Sequence, residues 1–302
     1  MALSLPSPGG SRFTVHGSRF TVHGSRFNPS AMPGLPTLLG VPYDASSSFL
    51  RGSAKAPPVI RDAMTSPSSN SWSESLRDMS APGALDDAGD VDVSVDDPRD
   101  VIERAARALL TSGARPIALG GDHSITYPLL RAFRPACPRL TVLHFDAHGD
   151  LYDAFDGDRY SHACPFARSM EEGLVDRLVQ VGIRTMNAHQ REQADRFGVE
   201  VIDMRAWAAG VRPRVDGPVY VSLDLDALDP AFAPGVSHWE PGGLSVRDVL
   251  TVLQTMGGTL VGADFVEFNP DRDSSGVTAY VAAKLVKEIA SRMLADDAVA
   301  VQ

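Results

Sequence analysis

The chain is poor in cysteine. Cys137 and Cys164 are the only two among 302 residues, and they form no CxxC pair. Two thiols cannot build a disulfide framework, so a reducing compartment suits the chain best. Long apolar runs are also missing, which argues against a membrane span. The chain lacks a surplus of positive charge: 28 Lys and Arg stand against 38 Asp and Glu, for a net charge of −10. A nucleic-acid partner would call for a basic patch, and none is suggested. An acidic cleft instead concentrates small cations. Apolar residues still make up 43% of the chain, enough for a sizeable core.

Acidic residues are absent before Asp44. That leading stretch carries "GSRFTVHGSRFTVHGSRF" at 10–27, a seven-residue repeat with Arg12, Arg19 and Arg26. One Phe and one Val per repeat cannot bury a core, and a Gly in each unit excludes a coiled coil. Residues 1–34 read as a disordered leader, and 35–302 as a single folded domain. A cytoplasmic location is expected, with a mitochondrial one as the alternative if residues 1–31 are an Arg-rich, acid-poor transit peptide. In another reading the chain starts at Met32.

Beyond the leader the pattern alternates. Strands are expected at 37–41, 115–121, 140–148, 176–184, 199–203, 218–226 and 259–270. Helices are expected at 57–64, 97–113, 124–133, 188–197, 245–256 and 278–294, with Gly113 ending the second and Pro128 marking a start near it, or a kink, in the third. Strands alternating with helices predict an α/β fold: three αβα layers around a central, mostly parallel sheet. In such sheets the functional crevice lies beyond the carboxyl ends of the strands.

The polar residues gather at those ends. "LGGDHS" closes one strand with Asp122 and His123, and "HFDAHGD" another with Asp146, His148 and Asp150. "VSLDLDALDP" closes a third with Asp224, Asp226 and Asp229, and "FVEFNP" a fourth with Glu267. If the strands run on through the motifs, Asp146, His148 and Asp150 share one face, as do Asp224 and Asp226. Carboxylates and imidazoles left unpaired in a dry interior are costly, so a cation is expected among them. The set without thiolate suits Mn²⁺, Fe²⁺, Ni²⁺ or Co²⁺ over a structural zinc. Four aspartates and two histidines are too many for one ion, whereas two ions sharing bridging carboxylates and a water fit the count. The chemistry implied is metal-assisted hydrolysis.

"GGDHS", "DAHGDLYD" and "SLDLDALDPAFAPG" resemble the three metal-binding motifs of the ureohydrolase (arginase/agmatinase) family, over about 41–287. "SSSFLRG", "DRYSHACPFARSMEEG" and "GVSHWEPGGLSVRDVL" are most similar to its plant-type arginase branch. The resemblance implies two Mn²⁺ per subunit. His123, Asp146, Asp150 and Asp224 would hold one ion, and Asp146, His148, Asp224 and Asp226 the other, with Asp146 and Asp224 bridging. Asp150 would also hold the attacking hydroxide. Glu267 matches the guanidinium-binding carboxylate and His162 the proton-shuttling histidine, so both would bind substrate. The implied reaction is L-arginine to L-ornithine and urea. Agmatine, or a guanidino acid, is the alternative substrate, and a non-catalytic metal-binding homologue the remote one. A homo-oligomer, trimer or hexamer, is implied as well.

Other residues carry weaker expectations. His144 should face away from Asp146. Asp122 and Asp229 read as turn residues or supports of the ligands, Cys164 as a small buried residue, and Asp153, Asp156 and Asp158 as solvated surface. Ala163 stands where the family pattern has Gly, and Tyr152 where animal-type members have a carboxylate-binding Asn. His238 and Trp239 fall in a loop near the substrate mouth, with or without a function there.

Overall fold

The computed structural model describes residues 34–300, and before them only an antiparallel pairing of Thr14–Val15 (β1) with Ser18–Arg19 (β2). The rest of the leader lies outside the described residues.

The body is built on eight strands: Pro36–Gly40 (β3), Asp86–Asp90 (β4), Arg115–Leu119 (β5), Thr141–Phe145 (β6), Arg177–Ile183 (β7), Glu200–Asp203 (β8), Pro218–Asp224 (β9) and Thr259–Val266 (β10). They form one sheet in the order β4-β3-β5-β10-β9-β6-β7-β8. Every pairing in it is parallel, so the expected parallel α/β architecture holds throughout the sheet. Among the described residues eight helices flank it: Ala56–Thr65 (α1), Pro98–Ser112 (α2), Thr126–Phe133 (α3), Pro165–Glu171 (α4), Ala188–Phe197 (α5), Met204–Ala208 (α6), Val246–Thr255 (α7) and Val277–Ala300 (α8).

Alternation along the strands makes two cores. Ile117, Leu143, Val221 and Leu223 face one side, packed with apolar residues of α1, α7 and α8. Ala118, Val142 and Tyr220 face the other, packed with α2, α3 and Phe166 of α4. Three layers follow, since each sheet face must bury its apolar set.

The expected helices are present with local reasons. Asp97 caps α2 by accepting from Asp100 N, and Gly113 ends it in the left-handed conformation at φ 88°. Ser245 and Asp248 form a capping box at the start of α7. Helix α3 starts near Pro128, at Thr126, the first of the two expected alternatives. Pro128 sits in the first turn, where a missing N–H costs no helical bond, and a 3-10 turn at His123–Ile125 leads into it.

Strand β4 is unexpected. Its sequence is Asp-Asp-Ala-Gly-Asp, which has little β propensity. It pairs only with β3, at the sheet edge, while Arg61 of α1 binds Asp87 and Asp90 at 2.7 and 2.5 Å. Charge on an exposed edge blocks pairing with another chain.

The chain order sets the crevice. It builds outward through β3 and β4, returns to β5, jumps to β6, continues to β7 and β8, and comes back to fill the gap with β9 and β10. The four strands that carry the polar motifs, β5, β10, β9 and β6, are therefore adjacent in the middle of the sheet. At this switch point Gly121 lies against the loop after β3: a Cβ there would stand 1.9 Å from Tyr43 O. Gly121→Ala is expected to cost about 1–3 kcal/mol by forcing the two segments apart. Equilibrium urea denaturation checks this, and an unchanged midpoint would refute the close approach.

Candidate metal centre

The polar motifs lie just past the strand ends rather than along them. Strand β6 ends at Phe145, so Asp146, His148 and Asp150 belong to the following loop and do not share a strand face. Asp224 ends β9, and Asp226 sits in a 3-10 turn, Leu225–Ala227, whose first N–H bonds go to the Asp224 side chain. Both chains turn because the carboxylates compete for backbone donors: Asp146 Oδ1 accepts from His148 N at 2.6 Å, and Asp224 Oδ1 from Asp226 N at 2.8 Å. Asp150 and Glu267 take left-handed backbones, φ 49° and 61°. Such strain in non-glycine residues is characteristic of functional sites.

The turns bring the groups together. His123 Nδ1 lies 3.2 Å from Asp146 Oδ2, 3.0 Å from Asp150 Oδ2 and 3.2 Å from Asp224 Oδ2. It is fully buried, yet it makes a hydrogen bond with none of them. A ring nitrogen ringed by three carboxylate oxygens and bonded to none is the arrangement of ligands converging on a cation. On the other side His148 Nδ1 lies 3.3 Å from Asp146 Oδ1 and 3.1 Å from Asp226 Oδ2. Asp146 belongs to both groups, one oxygen to each. The donor set fits hard or borderline divalent ions.

The electrostatics agree. Burial and the charges of Asp226 and Asp146 push the Asp224 carboxyl well above its usual range, and burial raises Asp226 too. Burial also opposes charge on His123, His148 and Asp146. The surrounding carboxylates nonetheless hold both histidines well above their usual value, and the three histidines hold Asp146 well below its own. A site that keeps protons this way exchanges them for metal.

A buried polar row supports the ligands from below. Gln180, His144, Ser222 and Asp264 are register partners on four adjacent strands, β7, β6, β9 and β10. All four are fully buried. Ser222 Oγ donates to Asp264 Oδ1 at 2.7 Å, so it must accept from His123 Nε2 at 3.0 Å. That fixes which His123 nitrogen faces the carboxylates. Gln180 Nε2 donates to His144 Nδ1 at 3.1 Å, so His144 Nε2 donates to Asp146 Oδ2 at 2.8 Å. His144 thus faces Asp146 rather than away from it, because the loop that begins at Asp146 turns its carboxylate back onto the ring at the end of β6. Tyr220 and Thr126 hydroxyls hold the other oxygen of Asp264 at 2.8 and 2.9 Å.

Next to the cluster is a buried ion pair. Glu267 Oε1 accepts from His123 N at 2.9 Å and from His162 Nδ1 at 2.8 Å. Glu267 Oε2 is buried and has no partner. His162 is no surface histidine. It is buried ahead of α4, and its Nε2 reaches Ser48 Oγ at 2.8 Å. Burial opposes its charge, but Glu267 raises its pKa to about 9. Burial and the Glu267 charge push Asp122 up to about 7, while its carboxylate holds the 44–48 loop through Ser46 N at 2.9 Å. Ala163 stays outside the left-handed region, so its turn does not require glycine. The Tyr152 hydroxyl is held by Asn187 at 2.6 Å. Asp229 binds turn amides, Cys164 is buried, and Asp153 pairs with Arg159 and Arg168.

The sequence profile of the arginase family matches residues 36–291. The chain belongs to the arginase family. It is 49% identical over 276 residues to "Arginase 1, mitochondrial" of Arabidopsis thaliana, covering 85% of this chain and 80% of that one. It is 47% identical over 275 residues to the same plant's "Arginase 2, chloroplastic/mitochondrial", again covering 85% and 80%. The solved structure of the arginase from Medicago truncatula matches with a TM-score of 0.81 at 44% identity, over 87% of this chain and 88% of that one. These names overturn the cytoplasmic expectation, since the relatives are organellar proteins. The family uses a binuclear metal site, and the two groups that share Asp146 are compatible with one. Among the described residues no helix is long and apolar enough to cross a membrane.

Ser222→Ala is expected to weaken divalent-metal affinity about 10–100-fold by freeing the His123 ring. Tyr220→Phe, which also removes a bond to Asp264 but leaves His123 held, serves as the control. Equal losses in calorimetric titrations of the two variants would sink the positioning role. A second expectation concerns pH. The His162 pKa is raised when folded, so its pairing with Glu267 contributes fully below about pH 6.5 and is lost as pH rises through about 9. In the metal-free protein, His162→Asn should cost on the order of 2 kcal/mol at pH 6 and progressively less toward pH 9. A pH-independent difference in denaturation midpoint would contradict this.

Proposed function

We propose that the protein is an arginase, hydrolysing L-arginine to L-ornithine and urea with two Mn²⁺ per subunit. His123, Asp146, Asp150 and Asp224 would hold one ion, and Asp146, His148, Asp224 and Asp226 the other. When bound, the ions would bring the pKa of a shared water toward neutrality and offset the carboxylate charge. The observation that carries the reading is Glu267, a buried carboxylate with one oxygen satisfied and the other free beside the ligand cluster. A guanidinium is planar and cationic, and its paired N–H groups match such an oxygen through charge-assisted hydrogen bonds. His162, whose pKa Glu267 raises to about 9 and whose Nε2 is joined to Ser48 at the exposed rim, suits delivery of a proton to the leaving amine, with Asp150 as the other donor.

The relatives' names support an organellar reading of residues 1–34 as a targeting leader, ahead of one catalytic domain over 35–302. Localisation of a reporter fused to that leader tests it. The family resemblance supports a homo-oligomer, trimer or hexamer, which light scattering tests.

Urea release from L-arginine and from agmatine, with Mn²⁺ loaded and with a chelator, tests the activity. Metal-dependent urea from arginine is the expected result. Urea from agmatine alone would reject the substrate, and urea from neither would reject the function. Glu267→Gln should lower kcat/KM by about 10²–10³.

A further inference from the structure

The groups described so far grip the guanidino end of a substrate and leave its other end unassigned. Glu267, His162, His123 and Asp150 are all buried, so an elongated substrate must leave them through the half-exposed rim. His238 stands in that exit. Its ring centroid lies 5.8 Å from His148, on the metal side, and 5.7 Å from His162, on the guanidino side. It also lies 5.6 Å from Phe49, a large apolar ring that is 65% exposed. Among the described residues no hydrogen bond reaches the His238 ring.

The loop that carries it is held on both sides. Ser237 Oγ donates to Leu50 O at 3.1 Å and accepts from Asn269 Nδ2 at 3.0 Å. Arg184 Nε donates to Glu240 O at 2.8 Å. The ring is therefore positioned without being spent on a partner of its own. Glu240 follows two residues on. Its Oε1 lies 3.8 Å from His148 Nε2, too far for a hydrogen bond, so this carboxylate also keeps acceptor capacity at the rim.

We infer that His238 and Glu240 form the rim that reads the α-carbon end of the substrate, resting on the guanidino-hydrolase reading above. The aliphatic stem lies against Phe49, and His238 meets only the carboxylate. The His238 N–H donates to the α-carboxylate, and Glu240 accepts from the α-ammonium. An imidazole donates in either charge state, so recognition of the carboxylate needs no protonation. Glu240 orients the zwitterion and keeps the carboxylate on the His238 side. A diamine keeps its bond to Glu240 and has nothing to give His238.

The test is calorimetric binding of L-ornithine and of 1,4-diaminobutane to the Mn²⁺-loaded protein, which needs no turnover. His238→Ala should weaken ornithine about tenfold or more, the worth of one charge-assisted hydrogen bond, and leave the diamine within about twofold. His238→Asn, which keeps a donor, should recover part of the loss. KM for arginine should rise in the Ala variant while kcat stays within about threefold. Equal weakening of both ligands, or no change in either, would overturn the inference while wild-type urea release from arginine still stands. Wild-type protein that bound neither ligand and released no urea would instead overturn the reading on which it rests.

Discussion

Everything at this site answers to the mutual repulsion of buried carboxylates. Asp146, Asp150 and Asp224 each bring an oxygen within 3.2 Å of one histidine nitrogen, and Asp226 closes the second group. Two such charges about 5 Å apart repel by about 3 kcal/mol at an effective dielectric near 20. A single neutral hydrogen bond returns only about 1 kcal/mol. Hydrogen bonds alone cannot hold four aspartates there: burial and the neighbouring carboxylates push Asp224 well above its usual range, and the carboxylates raise His123 and His148. Such a cluster is tolerable only where divalent charge is the intended occupant.

The sheet makes that crowding possible. Four central parallel strands end side by side, and their following turns aim side chains into one crevice. Below the turns, the row from Gln180 to Asp264 is a line of polar groups across an otherwise apolar sheet face. Its members bond to one another, to the ligands above, or to nearby groups such as Tyr220, Thr126 and Gly149 O. The exception is Gln180 Oε1, which is buried without a partner. Asp264 carries three side-chain hydroxyl contacts, and its burial is offset only because they are all present. The row fixes the orientation of the His123 and His144 rings through hydrogen bonds, while the repulsion among the carboxylates above it is left for a cation to offset.

This division explains what could be read from the sequence. The strand ends were legible because apolar runs stop abruptly at acids and histidines, and the helices because of their caps and periodicity. The row was not legible, because cross-strand neighbours depend on which strands pair and in what register. Gln180, His144, Ser222 and Asp264 look like isolated polar residues in four separate apolar runs. His144 shows the limit: its contact with Asp146 depends on how the chain turns after β6, and its role becomes clear only when Gln180 closes its other nitrogen. Strand β4 escaped detection because an acidic edge strand is held by one neighbour and by Arg61, with no hydrophobic pattern to betray it.

The rim obeys a different rule from the floor. Metal ligands hang directly from strand ends and lean on a register-locked row, so small changes there disturb several bonds at once. His238, Glu240 and Phe49 sit on loops anchored to the floor by neighbouring residues, such as Ser237, Ser48 and the Glu240 carbonyl, rather than by their own side chains. Loop residues can change with little cost to the sheet beneath them. Hydrolytic chemistry and substrate choice can therefore vary separately on this fold. That separation is why the motifs identify a family so readily while the substrate has to be argued from the geometry of the mouth.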